Sequence, residues 1–75
     1  MLETEYLGYK LSAEPYIVSK NRWSVQVKVS RNINNSIKEK TFYDNKKIAF
    51  LLEIEAAKES INLGMQIINN NLVGF

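Results

Sequence analysis

The sequence offers few side chains that could carry out covalent chemistry. It contains no cysteine and no histidine, which excludes disulfides, thiolate chemistry, Cys/His zinc sites and histidine-based catalytic triads. Glu53, Glu55 and Glu59 are the only carboxylates that could suggest acid–base work or a hard cation. Without a second cluster, solvated carboxylates or a pair with Lys58 are the favoured interpretation. No glycine-rich phosphate loop or nucleophile motif is present, so we expect a protein that is not an enzyme and uses no cofactor or metal.

Polar side chains that could contact a partner alternate with apolar ones between Arg22 and Arg31. Trp23, Val25, Val27 and Val29 share one side of an extended chain, opposite Arg22, Ser24, Gln26, Lys28 and Ser30. Strict alternation carried by β-branched and aromatic residues predicts a strand with one buried and one wet face. We interpret the tryptophan as a core residue rather than a base-stacking platform.

Basic residues are concentrated in the middle of the chain. Residues 20–47 carry eight Lys and Arg side chains against two acidic ones, whereas both flanking segments are mildly acidic. Such a run is usually a solvated face, and its alternative meaning is contact with an anionic partner.

Two further strands are predicted around the central one. After a frayed start over residues 1–5, Tyr9–Ala13 alternates and is stopped by Pro15. Residues 16–18 either extend that strand or belong to the connection. The asparagine-rich stretch 31–36 predicts a hairpin turn before a third strand over Ile37–Tyr43. Phe42 and Tyr43 cannot both face the core there, which requires a bulge or an end to the strand.

A long amphipathic helix follows. Steps of three and four residues connect the stripe positions Ile54, Ala57, Ile61, Gly64 or Met65, Ile68 and Leu72. Asp44 or Asn45 could cap an early start, while Glu53 and Glu55 suit a later first turn. Gly64 predicts a close approach to another backbone or to Trp23, and Asn69–Asn71 predicts the end of the helix. The apolar tail 72–75 either folds back or reaches another subunit.

These elements predict one α+β domain over residues 1–75, a three-stranded antiparallel meander with one long C-terminal amphipathic helix packed on one face (β-β-β-α). The predicted core comprises Tyr9, Leu11, Trp23, Val25, Val27, Val29, Phe42, Ile54, Ala57, Ile61 and Ile68. No apolar run approaches the roughly 18 residues of a membrane span, and the first ten residues lack signal-peptide character. A cytoplasmic protein is therefore expected.

The sequence resembles a group of small bacterial β-β-β-α proteins without an assigned activity, in the order Gly8-Tyr9-Lys10, Pro15, Trp23 to Val27, Lys40-Thr41-Phe42, Phe50, Glu55-Ala56 and Gly64 to Ile68. The resemblance covers nearly the whole chain, and its motifs are structural. Leu52 departs from the pattern, because such sequences tend to have a capping Thr or Ser there.

The segment W-x-V-x-V, a loop, K-T-F and a helix is also similar to the arm-binding domains of tyrosine-type phage integrases and to plant AP2-type DNA-binding domains. In those families the outer face of the sheet enters the major groove. The resemblance implies a candidate nucleic-acid or partner surface of Lys10, Arg22, Ser24, Gln26, Lys28 and Lys38, whose side chains suit phosphates and base edges.

Two functions of different classes follow from these patterns. The first is a non-enzymatic interaction or accessory module that associates as a homodimer, suggested by the small size, open edge strands and apolar tail. The alternative is a module that presents the outer face of its sheet to duplex DNA. No membrane contact and no small-molecule ligand is expected.

Overall fold

The computed structural model describes residues 2–44 and 49–75 and has the predicted α+β class. Within these residues the chain forms six strands and one helix, which are β1 Glu3–Tyr6, β2 Tyr9–Ala13, β3 Tyr16–Ser19, β4 Arg22–Ser24, β5 Gln26–Ile33, β6 Ser36–Tyr43 and α1 Glu53–Asn69. The prediction of antiparallel strands followed by one C-terminal helix is confirmed. The prediction of a three-stranded meander is wrong, because the strands form two sheets, with the order β1-β2-β5-β6 in one and β3-β4 in the other.

The larger sheet is built from two tight hairpins. Leu7 and Gly8 connect β1 to β2, and Asn34 and Asn35 connect β5 to β6, all four with positive φ. Two-residue turns of this kind match the twist of the strands they join. Residues predicted to fray instead form β1, whose Thr4 lies opposite Leu11.

The predicted central strand is divided between the two sheets. Arg22–Ser24 pairs with β3, whereas Gln26–Ile33 pairs with β2 and β6. Ser24 and Val25 are both buried, although the pairing keeps one register across the junction, with Ala13 opposite Val27 and Tyr16 opposite Ser24. The prediction that Ser24 is open to a partner is therefore wrong. Trp23 is only partly buried and forms an antiparallel bridge with Phe50.

One face of the larger sheet is covered by α1. The core includes Leu11, Ala13, Val27 and Val29 from the sheet and Ala57, Ile61, Ile67 and Ile68 from the helix. Gly64 permits this approach, since a Cβ there would lie 2.9 Å from Leu11 Cδ2 and 3.2 Å from Val27 Cγ2. The close contact predicted at this glycine is present, although its partners are side chains of β2 and β5.

The helix begins late and without a side-chain cap. Leu52 has extended dihedral angles and its side chain makes no capping hydrogen bond, while Glu53 and Glu55 occupy the first turn. Ile54 is 52% exposed, so its predicted core position is wrong. The apolar stripe of the helix continues beyond the part of the sheet that it covers, and Ile54 lies on that extension.

The chain end is tied to the core. Asn71 has positive φ, and the amides of Asn71 and Leu72 donate to the carbonyls of Ile68 and Ile67. This pattern terminates the helix where the asparagine run predicted. Val73 is buried, and the Tyr9 hydroxyl donates to the Phe75 carbonyl, so the tail folds back.

One remaining prediction concerns the end of β6, and another concerns a helix cap that the structure does not describe. Phe42 packs against the core and Tyr43 is exposed, and the register of β6 with β5 is unbroken, so no bulge is needed. The predicted early cap at Asn45 and the lysines at 46 and 47 lie outside the described residues. No helix in the described ranges is long and apolar enough to cross a membrane.

Candidate functional site

The outer face of the larger sheet brings together three of the six candidate surface residues. Lys10, Gln26 and Lys28 lie there, because their register partners share one face opposite the helix. The same face also carries glutamates. Glu3 and Glu5 belong to β1, Glu39 belongs to β6, and Glu3 forms an ion pair with Lys10 at 3.2 Å. Two lysines and three glutamates make a mixed surface rather than a cationic one.

The other three candidate residues lie elsewhere. Ser24 is buried at the junction of the two sheets. Arg22 is in the β3–β4 hairpin, where its guanidinium donates to the Asn21 carbonyl. Lys38 lies directly opposite Arg31 in the register of β5 and β6, on the face that α1 partly covers. The sequence-predicted set is therefore distributed over four regions.

Cations on the helix side of the sheet are paired with aromatic rings. The Arg31 guanidinium lies 5.1 Å from the Tyr9 ring centroid and donates to the Tyr9 hydroxyl at 3.2 Å. The Lys40 ammonium lies 5.4 Å from the Phe42 centroid. These contacts cover the faces of two rings that a nucleobase would need for stacking.

The three helix glutamates form no acidic cluster, although Glu59 lines a small pocket together with Asp44. Glu53, Glu55 and Glu59 are exposed along α1. Over residues 2–44 and 49–75, no group of three or more His, Cys, Asp or Glu side chains is placed to hold a metal ion. Their arrangement fits the solvated interpretation made from the sequence.

Large apolar side chains are exposed in the small sheet and in the segment that leads from Phe50 into α1. Ile17 lies opposite Trp23 in the small sheet, and Trp23 lies opposite Phe50, so the three side chains share one face. Ile17 and Val18 in β3, and Leu51, Leu52 and Ile54 after Phe50, are each 50–63% exposed. We call these five residues the apolar end. The exposed residues Leu7, Ile37 and Leu72 belong to separate parts of the fold.

Sequence reasoning missed the apolar end. The sequence leaves open whether residues 16–18 form a strand or a connection, and its helical period places Ile54 in the core. One usable signal is that Leu51, Leu52 and Ile54 come before Ala57, so they lie ahead of the helix residues that the sheet covers. Their exposure depends on where the sheet ends, which periodicity alone does not contain.

Comparisons with protein-family models, with curated proteins and with solved structures find no significant match. The two resemblances stated from the sequence therefore remain predictions.

Proposed function

We propose that this protein is a non-enzymatic interaction module that pairs with a second copy of itself through the apolar end. The observation that supports the proposal is that five large apolar side chains are exposed in the two segments that flank Trp23, which are β3 and the stretch after Phe50. Contiguous exposed apolar surface on a small domain usually marks an interaction site, whereas isolated apolar residues do not.

A second copy fits this surface because the apolar end contains no charged side chain. Two uncharged apolar surfaces can bury each other without matching charges or hydrogen-bonding groups. In a two-fold dimer both copies use the same patch, so the apolar end would contact itself. A domain of 75 residues buries a small fraction of its surface on folding, so covering the patch in a dimer would add to the buried apolar area. Of the three features that suggest self-association from the sequence, the apolar tail packs within the fold, and the apolar end replaces it in the proposal.

Sedimentation velocity across a concentration series tests the proposal. Wild-type protein should show a concentration-dependent shift from monomer towards dimer. Ile17→Asp should remove the shift, because a carboxylate would be buried without a partner in the contact. Ile17 is 61% exposed, so the melting temperature should change little.

The matched control is Ile37→Asp. Ile37 is also an isoleucine in a strand and is 72% exposed, but it lies near the β5–β6 turn, away from the apolar end. This variant should associate like the wild type. A monomer at every concentration, or an equal loss of association in Ile37→Asp, would contradict the proposal.

The duplex-binding alternative has one favourable feature, which is that α1 packs on the opposite face and leaves Gln26 and Lys28 on the outer one. Its charge arrangement is unfavourable, because the glutamates of β1 and β6 would approach phosphates together with the lysines. Self-association is therefore the function we put forward, and the alternative is tested below.

A further inference from the structure

The small sheet leaves backbone groups of Ile17 pointing away from its neighbour. The Trp23 amide donates to the Phe50 carbonyl and the Phe50 amide donates to the Trp23 carbonyl, both at 2.8 Å. The polar backbone groups of Trp23 therefore point towards Phe50. Ile17, which lies opposite Trp23 in β3, is consequently in a non-hydrogen-bonded pair, and its N–H and C=O point outward.

We infer that two copies of the chain pair β3 to β3, antiparallel, about a two-fold axis at Ile17. This inference rests on the proposed self-association and assigns the contact to the β3 part of the apolar end, since Leu51 and Leu52 follow Phe50, which lies on the far side of β4. Each Ile17 amide would donate to the Ile17 carbonyl of the other copy, completing the groups that β4 does not use. Tyr16 would lie opposite Val18 of the other copy, and pairs of an aromatic and a β-branched residue are favourable across strands.

The same register brings opposite charges together at both ends of the strand. With Ile17 opposite itself, Glu14 of each copy lies towards Lys20 of the other, and the register irregularity between Ile17 and Ser19 keeps the two residues from lying directly opposite. Symmetry supplies this pairing twice. Among the described residues neither side chain forms an ion pair within its own chain, so both charges are available to the contact.

The edge of β6 is less suitable for pairing with itself. Its central residues Lys38, Glu39 and Lys40 are all charged, and a two-fold axis at any of them places like charges opposite each other. Charged residues on an edge strand are a common device against pairing. By contrast β3 carries no charged residue, although Pro15 before it has no N–H and the register shifts between Ile17 and Ser19. The β3 contact is therefore short and reversible.

Amide hydrogen exchange in the wild-type protein tests the pairing without a mutation. In the monomer the outward Ile17 amide should exchange rapidly. At a concentration where about nine-tenths of the chains are dimeric, its exchange should slow about tenfold, because only the monomer fraction exposes it. An Ile17 amide that remains fast in the dimer overturns the inference but leaves self-association intact.

Two substitutions at Ile17 distinguish the contribution of its backbone hydrogen bonds to association from that of its side chain. Ile17→Ala and Ile17→Pro lose similar apolar area, but only proline removes the donor. Two lost hydrogen bonds should make the dissociation constant of Ile17→Pro at least about tenfold higher than that of Ile17→Ala. Circular dichroism establishes that both variants are folded. Equal dissociation constants would show apolar contact without strand pairing.

A charge exchange tests the register. Glu14→Lys and Lys20→Glu should each weaken association by about two- to fivefold, as expected for exposed pairs formed twice. The double variant E14K/K20E should regain wild-type affinity, because it restores both pairs in reversed order. Additive weakening in the double variant would overturn this register. Absence of association in the wild type would instead overturn the proposed function itself.

Discussion

Leu11 and Ile17 illustrate two different uses of the same kind of side chain. Both are aliphatic residues in antiparallel strands, yet Leu11 is fully buried beneath α1 whereas Ile17 is 61% exposed. The difference lies in what covers each strand. The helix reaches β2 and β5 at Gly64, but its first turn begins beside the small sheet and leaves that end uncovered. Apolar area under the helix stabilises the monomer, and apolar area at the other end is available to a partner.

The largest expected effect of a single substitution is therefore on the covered side. Leu11→Ala should lower the free energy of unfolding by about 3 kcal/mol, because it removes a fully buried side chain from against Gly64 and leaves a cavity. Ile17→Ala should lower it by less than about 0.5 kcal/mol. Urea unfolding at a concentration that favours the monomer measures both, and comparable losses would erase the distinction between the two regions.

A smaller effect is expected where the two regions meet. The Ser60 hydroxyl is fully buried, donates to the Ala56 carbonyl at 2.7 Å and accepts from the Gln26 amide at 3.2 Å. This bond holds the start of β5 just after the chain changes sheets. Ser60→Ala should cost about 1–2 kcal/mol, because the Gln26 amide loses its acceptor.

The matched comparison for this prediction is Ser36→Ala, in which an exposed serine at the start of β6 is replaced. It should leave the unfolding free energy within about 0.5 kcal/mol of the wild type. If the two alanine variants have the same stability, the buried hydrogen bond does not hold the junction.

Much of the covered side could be predicted from the sequence. The period of the helix identified Ala57, Ile61 and Ile68, and the alternation identified Val27 and Val29. These predictions succeed because burial under one helix imposes both periods at once. The asparagines at the turn and at the helix end were also informative, since positive φ is required at both places.

The junction and the apolar end could not be predicted in the same way. Apolar and polar residues alternate in the sequence from Trp23 to Val29, but the chain passes from one sheet to the other at Val25. Ser24 and Val25 are both buried there. Serine is small enough to be buried or exposed, so its identity does not indicate the break. Arg22 in β4 and the residues Gln26 and Lys28 in β5 are therefore predicted on one face, although they belong to two sheets.

The contrast between open edges can be sharpened on β6. Replacing Lys38 and Lys40 with threonine removes two charges from an exposed edge strand and leaves β-favouring residues there. We expect K38T/K40T to form species larger than a dimer, since each copy would then have a second edge able to pair. Light scattering at increasing concentration measures this, with K28T/K58Q, which removes two charges away from both edge strands, as the control for net charge.

The smallest expected effect concerns the outer face of the larger sheet. Fluorescence anisotropy with random duplex DNA at low salt should give weak binding at most, and Lys28→Glu should change it little, because Glu3, Glu5 and Glu39 already share that face. A phosphate-binding surface would instead show affinity that falls steeply with salt and is lost in this variant. That result would favour the duplex-binding alternative and would make the mixed charge of the sheet, rather than its apolar end, the feature to explain.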